Sequence, residues 1–118
     1  MALLKDSPSL RRVAGLAAIA LMLVIAALSL MPQADLPPVE GSDKLKHFIA
    51  YAALSVPVTI WAGPGRSLRA LLLTAGFGAL VEVAQLLAPT GREFSLLDGG
   101  ANLIGAGLGT LVAVVLRR

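Results

Sequence analysis

The residues of this chain that could do chemistry are few, and they are spaced to share helix faces. Asp43, His47 and Tyr51 recur at every fourth position, so on a helix they point the same way. Glu82 and Gln85 stand three apart and Asp98 and Asn102 four apart, the two spacings that make neighbours on one helical face. Lys44, Arg92 and Ser95 lie close to these groups in sequence. A histidine among carboxylates suits general acid–base work, with His47 as the acid or base and Glu82 or Asp98 as its partner. The same set suits recognition. Lys44 and Arg92 would meet a phosphate or carboxylate, Arg92 the better because its fork is bidentate, while Glu82, Asp98 and Asn102 orient the ligand. His47, Glu82 and Asp98 make a one-nitrogen, two-carboxylate set. No ligand motif such as H-E-x-x-H accompanies it, and no metal or cofactor is expected. Ser95 and Asp98 with His47 have the residue types of a hydrolase triad, but no nucleophile elbow surrounds the serine.

Composition says what kind of element carries these groups. The chain is 57% hydrophobic and only 14% charged, against about a quarter charged in soluble domains. Its mean hydropathy is +0.83. A disordered chain needs the reverse balance, and a disulfide scaffold needs cysteines, of which there are none. A length of 118 residues admits one small soluble domain, but long stretches without any charge point to a small polytopic membrane protein. The high pI of about 10.0 does not indicate nucleic acid. The basic residues sit at the ends of apolar segments, in no patch or motif.

Four segments approach the roughly 20 apolar residues that a membrane-spanning helix needs. They are 13–31, 43–62, 68–88 and 97–116, and they predict an all-α, four-helix bundle forming one domain over 1–118. Arg11 and Arg12 precede the first span and Pro32 ends it. A cleaved signal peptide is the rival reading, but its hydrophobic region would be long and SLMPQADLP holds no clear A-x-A site. The linker 32–42, PQADLPPVEGS, carries Pro37-Pro38, which favours an extended path. Ser42 or Asp43 is placed to cap the second helix. Pro57 should kink that helix, with Ser55 or Thr59 satisfying the freed carbonyl. Trp61 is an interfacial anchor, and GPGR at 63–66 a tight turn. In the fourth span Ala101, Gly105, Gly109 and Ala113 recur every four residues, which lets a helix approach closely. An intrachain contact is the plainer reading of that stripe, and a homo-oligomer seam through Gly105 and Gly109 the other.

Counting Lys and Arg near the spans sets the orientation. Lys5, Arg11, Arg12, Arg66, Arg69, Arg117 and Arg118 fall on one side, and Lys44, Lys46 and Arg92 on the other. Both termini are therefore expected in the cytoplasm, with the linker 32–42 and the loop carrying Arg92 facing outward. On that topology the polar residues of spans two, three and four share the outer end. Glu82 lies six residues before Ala88, about 9 Å along the axis. A carboxylate at that depth is protonated or paired, with Arg92 and His47 as available partners.

Two blocks of residues resemble the VanZ-like family of small bacterial membrane proteins. The first is Asp43-Lys44-x-x-His47-Phe48-x-x-Tyr51-x-x-Leu54. The second runs from Glu82-x-x-Gln85 through Pro89 and Arg92 to Ser95, Asp98, Asn102, Gly105 and Gly109. Leu87 stands where relatives often carry an aromatic. The resemblance implies a multi-pass protein of the bacterial cytoplasmic (inner) membrane acting on or near the cell envelope. The family's founding member is linked to teicoplanin resistance.

Three functions follow from these readings. In the first, the outward pocket binds or modulates a lipid-linked envelope component or a glycopeptide antibiotic through Asp43, Lys44, His47, Tyr51, Glu82, Gln85, Arg92, Ser95, Asp98 and Asn102. In the second, the chain is an intramembrane enzyme acting on a lipid head group. In the third, disfavoured because Glu82 lies away from the midplane, it is a small proton-coupled exporter. The same polar groups could also serve only to lock the helices together.

Overall fold

A computed structural model describes residues 5–31, 43–87 and 96–117, with side chains from 45 onward in the second stretch and from 99 in the third. These residues form four α-helices: α1 (Pro8–Leu30), α2 (Asp43–Ala62), α3 (Ser67–Leu87) and α4 (Leu96–Arg117). All four are long and apolar enough to cross a membrane. The linker 32–42 with its cap at Ser42, and the loop carrying Arg92 and Ser95, lie outside the described residues.

The helix ends follow local chemistry. α1 starts at Pro8, five residues earlier than expected, so it takes in Arg11 and Arg12. The overlooked signal is Ser7-Pro8. The Ser7 side chain accepts a hydrogen bond from Leu10 N at 3.1 Å, and Pro8 occupies a first-turn position where a missing N–H costs nothing. α1 stops at Leu30 because Met31 precedes Pro32 and is held extended, with ψ 138°. α2 ends where Gly63 adopts φ +91°, a left-handed conformation that glycine takes without strain. Gly65 does the same at φ +78°, and the Arg66 amide closes the turn onto the Gly63 carbonyl at 3.3 Å. The limits of α2 fall as expected, and the remaining boundaries shift by one residue.

α2 is the hub. It packs on α1, α3 and most extensively on α4, whereas α1 and α3 touch least and α1 and α4 do not meet among the described residues. The α2–α4 seam depends on missing side chains. A Cβ at Gly105 would collide with the Phe48 carbonyl oxygen, and one at Gly109 with Ser55 Oγ and the Ala52 carbonyl oxygen. Ala106 and Ala113 are fully buried. The small-residue stripe is thus occupied within the chain, with Gly105 and Gly109 both covered by α2.

Pro57 lies inside α2, and hydroxyls cluster around it. Ser55 Oγ donates to the Ala52 carbonyl at 3.1 Å, and Thr59 Oγ1 donates to the Ser55 carbonyl at 2.7 Å. The expectation that one of them serves the carbonyl freed by Pro57, that of Ala53, is corrected: each hydroxyl proton goes to a neighbouring carbonyl instead. Thr59 Oγ1 also lies 3.3 Å from Thr110 Oγ1 on α4.

The bundle mixes polar groups into an apolar interior and turns large apolar side chains outward. Ser29, Ser55, Thr59, Thr74, Glu82, Asn102 and Thr110 are buried, while Leu80 is 70% and Leu87 79% exposed. A soluble bundle buries its leucines and exposes its polar groups. The inversion is expected where the surrounding solvent is hydrocarbon and small or polar residues join the helices.

Candidate functional site

The site is assembled at one end of the bundle by three antiparallel elements. His47 is four residues inside the start of α2, Asn102 six inside the start of α4, and Glu82 five before the end of α3. These offsets place all three about 6 to 9 Å from their helix ends. The three residues thus lie at similar distances from the same end of the bundle.

Asn102 is the bridge. Its Nδ2 donates a long hydrogen bond of 3.4 Å to Glu82 Oε1, and its Oδ1 lies 3.1 Å from His47 Nδ1. Asn102 and Glu82 are buried, while His47 is half-buried. One side chain thus ties α2, α3 and α4 together. Asn102 links His47, an available partner of Glu82 on sequence grounds, to that carboxylate, entering from α4 at the same level. Arg92, the other expected partner, lies outside the described residues.

The bridge fixes chemistry as well as packing. A carboxylate offers only acceptors, so an ionised Glu82 draws the Asn102 NH2 towards itself and turns Oδ1 towards His47. Nδ1 of His47 must then donate. This orients the ring, and in its neutral form the lone pair is left on Nε2. A base held by one group, itself held by another, is the arrangement by which catalytic histidines are positioned.

The remaining residues divide by role. Tyr51 is 1% exposed, one turn deeper than His47, and its ring packs on Phe77 with centroids 6.3 Å apart. It sits in the gap left by Gly78. A Cβ there would come within 3.0 Å of Tyr51 Cε1 and 3.4 Å of Asn102 Nδ2. Gln85, expected to line the pocket, donates from Nε2 to the Ser29 carbonyl at 2.9 Å. It therefore satisfies one of the four carbonyls that the end of α1 leaves open. Asp43, Lys44 and Asp98 fall in the first turns of α2 and α4 at this same end, with their side chains outside the described residues. Ser95 is likewise outside them.

Sequence reading overlooked Gly78, Ser29 and the central place of Asn102. Gly78 had a signal, since it precedes Glu82 by one turn on the same face of α3. Ser29 had none, because its contribution is a backbone carbonyl. Arg117, read as a marker of orientation, has a contact of its own. Its Nη1 donates to the Thr59 carbonyl at 3.0 Å, next to the negative end of α2.

Compared with protein-family models, curated proteins and solved structures, the chain matches none of them.

Proposed function

We propose that this chain is a VanZ-like, multi-pass protein of the bacterial cytoplasmic membrane whose polar end faces outward and binds the head of a lipid-linked envelope component or a glycopeptide. The observation that carries the reading is the His47–Asn102–Glu82 chain, which crosses three helices at one level with Asn102 and Glu82 buried. A carboxylate at that depth is expensive, and groups of this kind mark functional sites in membrane proteins. Asp43, Lys44 and Asp98 belong to the same end of the same helices, and together with Arg92 and Ser95, which lie between α3 and α4 in sequence, would supply the charged rim that meets a phosphate or carboxylate. The outward assignment follows the bias of Lys and Arg towards the opposite end.

Two experiments test it. The chain has no native cysteine, so single substitutions report orientation without background. Arg92→Cys should react with an impermeant thiol reagent in intact cells and Arg66→Cys should not; the reverse pattern overturns the topology. Teicoplanin susceptibility of cells expressing the chain, together with binding of a polyprenyl-diphosphate sugar to the protein in nanodiscs, tests the ligand class. Arg92→Ala should weaken at least one of the two. If it alters neither, the role given to Arg92 is wrong.

A second reading is favoured by the orientation of His47. Its Nδ1 faces Asn102 Oδ1, and the imidazole held in this way would act as the acid or base on a lipid head group. His47→Ala and Glu82→Gln would then abolish turnover of that lipid while leaving its binding in place.

A further inference from the structure

The opposite end of the bundle carries a second constellation, which no function above uses. Arg11 and Arg12 from α1, Arg66 from the turn after α2 and Arg69 from α3 line a cavity of about 270 Å³, with Trp61 and Ala62 completing it. Among the described residues one acid stands near these four cations. Asp6 pairs with Arg11, which donates from Nε at 2.9 Å and from Nη2 at 3.1 Å. Arg12, Arg66 and Arg69 are exposed. The first amides of α3 add the positive end of a helix dipole beside Arg66.

Trp61 is the wall between this cavity and another. Beyond it lies an apolar groove of about 280 Å³, lined by Ile19 and Met22 of α1, Leu54 of α2, and Leu73 and Phe77 of α3. The groove occupies the side where α1 and α3 touch least. It extends from the level of Gly15 to that of Met22, about 10 Å along α1. The indole is seated against α1 because Gly15 has no side chain; a Cβ there would come within 2.7 Å of Trp61 Cδ1.

Cations at the helix ends, an interfacial indole, then an apolar channel along the helices: this sequence of chemistries matches an anionic phospholipid from head group to tail. We propose that an anionic phospholipid binds here, its phosphate among Arg12, Arg66 and Arg69, its glycerol region against Trp61, and one acyl chain in the groove between α1 and α3. The inference shares with the proposed function only that the helices lie in a bilayer. It involves none of the residues of the polar end, so either can fail alone.

Native mass spectrometry on the full chain in a mild nonionic detergent tests it, with phosphatidylglycerol and phosphatidylcholine of identical acyl chains as probes. Each arginine near a membrane surface is worth about fivefold in affinity for an anionic lipid. Phosphatidylglycerol should therefore bind at least about tenfold more tightly than phosphatidylcholine. Arg66→Gln with Arg69→Gln should bring the two lipids to within a few-fold of each other, and Trp61→Ala should weaken both. High salt on the unaltered protein should narrow the preference as the double variant does, which keeps the test valid if that variant does not fold. Inorganic phosphate at millimolar concentration should not displace the lipid. Equal retention of both lipids by the unaltered protein overturns the head-group site. Full displacement by inorganic phosphate overturns the acyl-chain groove and leaves a pocket for free anions.

Discussion

The two ends of the bundle hold polar residues in opposite ways. At the His47 end, acceptors and donors are matched inside the protein: Glu82 to Asn102, Asn102 to His47, Gln85 to the Ser29 carbonyl. At the arginine end, three cations stand exposed around a cavity, and an ion pair between Arg11 and Asp6 lies at its edge. The first end is built into the fold. The second is attached to it. The difference shows that charge in a sparsely charged chain is informative by its connections more than by its count. Buried polar groups connected to one another specify how helices meet, whereas exposed groups of one sign await a counter-charge from outside.

This contrast is open to direct test. The largest effect should come from the seam that joins both ends. Gly109→Val puts a branched side chain against the Ala52 carbonyl, and should lower stability by about 3 kcal/mol or more, measured by denaturant unfolding in detergent. Next comes Asn102→Ala, which strips partners from both Glu82 and His47; a loss of about 1–3 kcal/mol is expected. Gln85→Ala removes one tie to α1 and should cost about 1 kcal/mol, with α1 becoming more accessible to protease. The smallest change belongs to Arg66→Gln with Arg69→Gln, within about 0.5 kcal/mol in lipid-free detergent. A loss at the arginine end as large as that for Asn102→Ala would erase the distinction between the two ends.

Much of the architecture was legible beforehand, because a membrane-spanning helix is signalled by length and hydropathy alone. The limits of α2 were read to the residue, since a proline linker precedes it and a glycine turn follows. α1 was read too short, because two arginines looked like a boundary while the true start lay in the Ser7 cap and Pro8. In the site, spacing marked His47, Tyr51, Glu82 and Asn102 as members of shared helix faces, and the alternation of helix direction brought them to one end of the bundle. Which of them touch was not legible. That depends on the rotation of each helix about its axis, and the rotation is set by absent atoms at Gly78, Gly105 and Gly109. Gln85 shows the same limit. Its position suggested a ligand, but its partner is a backbone carbonyl on another helix, which no side-chain pattern reveals.

The pairing of α2 with α4 carries a consequence for how the chain is made. The most extensive interface joins the second helix to the last, with α3 intervening in sequence. A chain made from its N-terminus cannot close it until α4 has been synthesised. Until then Thr59, which later meets Thr110, and the carbonyls of Phe48 and Ala52, which Gly105 and Gly109 later cover, stand on an unshielded face of α2. Synthesis of α4 is thus the step on which closure of the α2 face depends, with Gly105 and Gly109 the positions that permit it.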